Sequence, residues 1–422
     1  MKKILFILLL FISLKGYSQF DNYFENKTLR IDYFHSGNYE HEYYRPDELI
    51  EKDIWAGSKI NLVDTFDYGK FRIMVYDTLS GKLIYSRAYS TLFAEWRTTA
   101  EGKGSCGNFS ETMLIPFPKK VINVVFQSRD SLSKWQNIAS QVIDTKNEFI
   151  LKPKKSSNEI IPLHYSGDVT QKLDIAIIAD GYTKKDIEKM KKDFENFKDY
   201  LLKSKPFDKN IDKINIWGDA AISAESGITN PVDTFVAKTI LGTSFNTINS
   251  DRYLMTLENK TLHDQLSNVA YDQIIIMCNT KKYGGGGIYN FYCTAAAGNA
   301  QSEFLLQHEF GHAFAGLADE YYTSEVSVED FYPLTIEPWE PNITTLVNFE
   351  SKWKNMLDKN TPVPTPAVNE NNKITGVYEG GGYISKGVYR PFIDCTMKSA
   401  HANLFCPVCK RAIQWMIDFY SK

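Results

Sequence analysis

Three hydrophobic patterns succeed one another along this chain of 422 residues. From about Phe20 to Leu163 apolar and polar positions alternate. Phe71, Ile73 and Val75 share one side of a strand, Asp77-Thr78-Leu79-Ser80-Gly81 supplies a turn, and Leu83-Ile84-Tyr85 leads back. That is a β-hairpin pattern. Val121 to Phe126 reads as another strand. Short strands with turn signals between them predict a β-sandwich.

The pattern changes at Leu173. Ile175, Ala176, Ile177, Ile178 and Ala179 form an unbroken apolar run, and Ile214–Trp217 and Gln273–Met277 read as further strands. Asp180-Gly181-Tyr182 makes a turn, after which Thr183 and Asp186 can cap a helix reaching about Lys203. Strands alternating with helices predict an α/β arrangement with a twisted sheet.

The third pattern has the helical period. Leu306, Phe310, Ala313, Phe314 and Leu317 form an apolar stripe, while Phe304, His308 and His312 share another face. Ser302 is the expected N-cap and Gly316 the expected stop. Gly284–Gly287 precedes this helix and lacks the lysine and hydroxyl residue of a phosphate loop. It reads equally as a flexible loop or as the approach to a rim strand that pairs with an extended peptide. Pro362, Pro364 and Pro366 mark a surface excursion within the second region.

The chain is too long for one ordinary core, so two domains are expected after an N-terminal targeting segment. Lys2 and Lys3 precede an apolar stretch from Ile4 to Leu14, and Gly16-Tyr17-Ser18 offers small residues for cleavage. This reads as a secretory signal over residues 1–18, too short to span a bilayer. The expected product is exported, to the periplasm or beyond, without stable membrane insertion. The expected domains are a β-sandwich over residues 19–165 and a second domain over 166–422.

A formal net charge of -3 gives no field for a polyanion, so no nucleic-acid partner is expected. Aromatic residues make up 14% of the chain, which suits β packing and a substrate cleft. Carboxylates near Asp233 and Asp251 would tolerate calcium but form no recognisable calcium loop.

The chemistry concentrates in His308-Glu309-Phe310-Gly311-His312. Histidines four residues apart on a helix can hold one zinc ion, and the glutamate after the first can take a proton from a zinc-bound water. A catalytic zinc usually has three protein ligands. Asp319 is the expected third, with Glu320 as the alternative or as a partner of a ligand histidine. The metzincin pattern places a ligand three residues after a turn glycine. Gly316 and Asp319 keep that spacing, although one extra residue separates His312 from the glycine. Met397, in Asp394-Cys395-Thr396-Met397, is the candidate apolar floor of the cleft. Tyr383, Tyr389 and Arg390 are candidates for stabilising an oxyanion. His35, His41 and His164 read as ordinary core or surface residues.

Together, HEFGHAFAGLADEYY (His308–Tyr322), YEGGGYISKGVYRP (Tyr378–Pro391), DCTM, FCPVC, Asp180-Gly181-Tyr182 and the glycine run resemble peptidase family M64, the immunoglobulin A peptidase-like metallopeptidases. The resemblance covers most of the chain after about Asp174, and the preceding part looks like that family's N-terminal β domain. It implies a zincin, metzincin-like catalytic domain with a mixed sheet and an HExxH helix. It also implies a zinc-dependent endopeptidase acting on a protein or peptide, glycoproteins included. Immunoglobulin A itself is not implied. The rival reading is a catalytically silent zincin that binds glycan or protein, against which the intact Glu309 argues.

Six cysteines in an exported chain suggest disulfides. Cys406 or Cys409 could bridge to Cys395, and Cys293 could take the other. A redox pair or half a zinc knuckle at Cys406 and Cys409 is the weaker reading, because the sequence holds no second Cys-x-x-Cys.

Overall fold

The computed structural model describes residues 19–146, 148–322, 332–368, 373–402 and 404–421. The expected export signal lies outside the described residues.

The first unit contains α1 (Gln19–Tyr23), β1 (Phe24–Gly37), β2 (Glu42–Lys52), β3 (Phe71–Asp77) and β4 (Leu83–Tyr89). Two short helices, α2 (Leu92–Trp96) and α3 (Ala100–Gly104), lead to β5 (Gly107–Pro118), β6 (Ile122–Arg129) and β7 (Trp135–Ile143). These strands make two antiparallel sheets, ordered β2-β1-β5 and β4-β3-β6-β7. Alternation drives the packing. Phe71, Ile73 and Val75 are buried, and they meet Leu29, Ile31 and Tyr33 of the other sheet in one core. The β3–β4 turn closes as its residues dictate, with Gly81 N–H donating to the Asp77 carbonyl at 2.8 Å and Gly81 at φ +69°.

The second unit is built on a six-stranded mixed sheet. Its elements are β8 (Ile160–His164), β9 (Leu173–Asp180), α4 (Ile187–Leu202), β10 (Ile214–Asp219), α5 (Asn259–Gln265), β11 (Gln273–Cys278), β12 (Gly285–Ile288) and β13 (Tyr292–Ala296). Then follow α6 (Ser302–Ala315), the hairpin β14 (Tyr378–Gly381) and β15 (Ile384–Arg390), and α7 (Pro407–Tyr420). The order is β12-β13-β11-β9-β10-β8, with the four inner strands parallel and both edges antiparallel. Strand β8, which the sequence pattern grouped with the first region, pairs with β10 here.

All of β9 is buried because both faces are covered. Ile175, Ile177 and Ala179 pack with Phe194, Leu306 and Phe310, while Ala176 and Ile178 pack with Leu241, Leu254 and Leu262. Helix α4 is announced by a capping box in which Thr183 N–H donates to Asp186 Oδ2 at 2.9 Å. Among the described residues no helix is long and apolar enough to cross a membrane.

The two units meet through apolar contacts, Tyr68 and Ala88 joining the core of the second unit and Phe66 packing on Phe419, and through hydrogen bonds. Ser90 N–H donates to the Tyr289 carbonyl at 2.9 Å, Asn290 Nδ2 donates to the Ala88 carbonyl at 2.7 Å, and Arg30 reaches Asp264 at 2.5 Å. Tyr253 O–H donates to Glu95 Oε2 at 2.5 Å. This last bond brings α2 of the first unit to the rim of the cleft described next.

Candidate active site

Helix α6 carries the histidines and is buried nearly all round, so these are not surface histidines. Phe310 and Phe314 pack on Phe207. Phe304, His308 and His312 face a cleft of about 740 Å³. Gly316 ends the helix at φ +61°, where its N–H donates to the His312 carbonyl at 3.1 Å. The expected cap at Ser302 is not formed. Ser302 is the first helical residue, and its hydroxyl donates to the carbonyls of Ala296 and Asn299 at 2.6 and 2.7 Å. A hydroxyl spent on the incoming loop cannot accept from the helix.

Backbone carbonyls fix the orientation of both imidazoles. The Nδ1 atoms of His308 and His312 lie 2.9 and 2.6 Å from the carbonyls of Thr396 and Leu317. A carbonyl only accepts, so each Nδ1 carries the hydrogen and each Nε2 keeps a bare lone pair. The two Nε2 atoms are 3.1 Å apart, and Asp319 Oδ1 lies 3.0 and 3.4 Å from them. Asp319 Oδ1 is buried with no hydrogen-bond donor. Three lone-pair atoms converge on one point, and a metal cation between them, or in its absence a proton shared with Asp319, relieves the repulsion. Tetrahedral zinc with ligand bonds of ~2.0–2.1 Å separates its ligand atoms by about 3.3 Å, which these residues fit. The Tyr383 hydroxyl donates to Asp319 Oδ2 and orients the carboxylate.

Glu309 lies between the histidines in sequence and against edge strand β12 in space. A Cβ added to Gly285 would stand 2.9 Å from Glu309 Cγ, and one added to Gly287 would stand 2.1 Å from the Glu309 carbonyl oxygen. The glycine run therefore lets an edge strand lie directly on the helix. It is a strand, not a flexible loop. Burial pushes the Glu309 carboxyl above its ordinary range, opposed by the two histidines.

Met397 is fully buried beneath the helix, its Sδ 2.9 Å from where a Cβ would stand at Gly311. Glu320 does not join the histidines. Its Oε1 accepts from Asn342 Nδ2 at 3.0 Å and lies 3.2 Å from Cys409 Sγ, so its side chain points away from the histidines that Asp319 faces. Of the oxyanion candidates, Tyr383 lines the cleft but is engaged with Asp319. Arg390 donates to the carbonyls of Glu379 and Gly380 at 2.8 and 2.6 Å, and the Tyr389 backbone pairs with Thr344. Neither lines the cleft.

The expected disulfides are not formed: all six cysteines are free thiols. Cys395 and Cys409 hold their sulfurs 3.8 Å apart, and Cys293 lies in β13 opposite Ile275. Asp251 pairs with Lys282 at 2.7 Å and Asp233 accepts from Asn230, so neither is organised for calcium.

Sequence reasoning missed Glu95, Arg252 and Tyr283, which line the cleft. Burial pushes Glu95 up to about 7, against the lowering effect of its bond from Tyr253. No motif marks Glu95. Its place depends on contact between the two units, which no local pattern encodes.

The IgA peptidase M64 family model matches residues 161–375 and 368–417, and the model of the M64 N-terminus matches residues 19–140. No curated protein matches the chain. The two family matches cover both sheet regions and every residue of the cleft motif, so the chain belongs to the IgA peptidase M64 family, a family of peptidases.

Proposed function

We propose that this protein is an exported zinc-dependent endopeptidase with a metzincin-like centre. His308, His312 and Asp319 would hold the zinc, Glu309 is the general base, and Met397 is the floor. The reading rests on the convergence of two bare Nε2 atoms and an orphaned carboxylate oxygen on one point. Zinc bound there supplies a water of near-neutral pKa and polarises the scissile carbonyl.

The protein's own groups do the rest. The Thr396 and Leu317 carbonyls hold the imidazoles in one tautomer. Tyr383 holds Asp319. Glu309 accepts the proton of the attacking water on its carboxylate and passes it to the leaving nitrogen. Strand β12 lies against Glu309; on its outer edge Gly285 already pairs with Arg252 and Leu254, so an extended peptide would add at the Gly287 end, with its scissile bond near the base. The first unit, through Glu95 and its neighbours, forms part of the opposite wall. We also propose that residues 1–18 direct export.

The test compares the mature chain with Glu309→Gln on a diverse peptide library read by mass spectrometry. Cuts by the parent alone support the reading, provided that the variant keeps its zinc. Equal cutting by both would remove Glu309 from its role.

A further inference from the structure

A second group of ligand-type atoms lies behind the first. Glu320, Cys395, Cys406 and Cys409 each place one such atom within 4.8 Å of all the others, and all four residues are fully buried. Cys395 Sγ and Cys409 Sγ are 3.8 Å apart, and Cys409 Sγ is 3.2 Å from Glu320 Oε1. The other carboxylate oxygen, Glu320 Oε2, is buried with no hydrogen-bond donor.

The spacing discriminates between two explanations. A disulfide needs sulfurs ~2.05 Å apart. A tetrahedral ion with bonds of ~2.3 Å to sulfur and ~2.0–2.2 Å to oxygen sets sulfur pairs about 3.8 Å apart and sulfur–oxygen pairs about 3.5 Å apart. The Cys395–Cys409 sulfur pair matches the tetrahedron; the Cys409–Glu320 pair is somewhat shorter, the length of a thiol-to-carboxylate hydrogen bond. One disulfide would also strand a third thiol and a carboxylate in a dry interior, where an unpaired charge is costly. Arg390 contributes positive field at Glu320, but its Nη1 is committed to backbone carbonyls.

The backbone is arranged for thiolates. Cys406 N–H donates to Cys395 Sγ at 3.2 Å, and Cys409 N–H donates to Cys406 Sγ at 3.5 Å. Cys406 is the N-cap of α7, so its sulfur sits at the positive end of that helix. Amide donors and a helix N-terminus both favour sulfur in its anionic, metal-binding form.

We propose that Glu320, Cys395, Cys406 and Cys409 form a second metal site that takes a zinc-like divalent cation in a closed set of three thiolates and one carboxylate. Four protein ligands leave no position for water, so the site is structural. It ties together three segments: the chain after α6, the segment 395–397, and the start of α7. Asp319 adjoins Glu320, and the Thr396 carbonyl that orients His308 adjoins Cys395. Glu320 N–H also donates to the Met397 carbonyl at 2.8 Å. The second ion would thus hold the backbone from which the histidine centre is positioned. It does not depend on the catalytic reading, and its failure would leave that reading standing.

The test uses the full mature chain carrying His308→Ala and His312→Ala, which removes the first centre and leaves the thiol cluster intact. Metal content is measured after purification from zinc-supplemented medium, and X-ray absorption reports the atoms around the ion. One zinc per chain with sulfur neighbours is expected. Cobalt(II) loaded alone into this variant should show thiolate-to-metal charge-transfer absorption, lost on adding Cys406→Ser and Cys409→Ser. Absence of metal, an ion with nitrogen and oxygen neighbours only, or fewer than six titratable thiols in the denatured, unreduced and chelated chain would overturn the proposal. The absorption readouts need only the histidine variant, so a cysteine variant that fails to fold does not blunt them.

Discussion

Met397 and Gly311 are in contact distance across the underside of the histidine helix: a Cβ on Gly311 would stand 2.9 Å from Met397 Sδ. The Phe405 ring and Leu317 would be 3.2 and 3.3 Å from it. The glycine within the His-Glu-x-x-His segment is therefore set by packing against a residue 86 positions later (397 − 311). Gly311→Val should overpack this contact and destabilise the fold by about 1–3 kcal/mol, despite the poor helix propensity of glycine. Thermal unfolding checks this. A variant as stable as the parent would mean that Met397 moves aside freely.

Gly287→Ala probes the edge strand. Its Cβ would meet the Glu309 carbonyl oxygen at 2.1 Å, a backbone atom that cannot swing away. Strand β12 must lift from α6, displacing any peptide paired to it from Glu309. We expect kcat/KM to fall at least tenfold, about 1.4 kcal/mol of transition-state stabilisation, with bound zinc unchanged. Steady-state kinetics with metal analysis tests it, and unchanged kinetics would argue against β12 as the docking edge.

Tyr383→Phe removes the hydroxyl that donates to Asp319 Oδ2. Loss of such an outer partner commonly weakens metal affinity or activity by ~10–100-fold. Competition against a chromogenic chelator should show zinc held at least tenfold more loosely. Unaltered affinity would indicate that Asp319 is oriented by the backbone alone.

His35 gives a pH dependence in the first unit. It is 1% exposed, between Glu111 at 3.0 Å and Glu42 at 2.8 Å. Burial alone would lower its pKa, but the two carboxylates more than offset this and raise it from 6.5 to about 9. A folded-state pKa above the unfolded one stabilises fully below about 6.5, and the contribution is lost as pH rises through about 9. The full contribution is roughly 3 kcal/mol. The depressed Glu42 carboxyl reflects this same interaction together with its pairing to Arg97, and it titrates below that pH window. Calorimetry from pH 6 to about 10 should show unfolding temperature falling more steeply in the parent than in His35→Gln. Parallel curves would place the proton elsewhere.

The sequence by itself determined the local elements and the catalytic helix. Alternation marked β3 and β4, an unbroken apolar run marked β9, short apolar-rich segments marked β10 and β11, and Thr183 with Asp186 marked the start of α4. These signals are local: burial of one face fixes a period, and a cap satisfies amides a few residues away. His308, Glu309 and His312 were legible because their spacing belongs to one helix turn.

Tertiary structure decided what depends on distant segments meeting. It turned Asp319 toward the histidines and Glu320 toward the thiols, an assignment that rests on the path of a loop backbone no period encodes. It placed β8 in the second sheet through pairing with β10, brought Glu95 to the cleft from the other unit, and engaged Tyr383 with Asp319. It also clustered three cysteines with Glu320, holding the Cys395 and Cys409 sulfurs 3.8 Å apart, beyond the length of a disulfide bond. Cysteine count alone cannot separate a disulfide from such a cluster, because the same thiols suit either chemistry until their distances are fixed by packing.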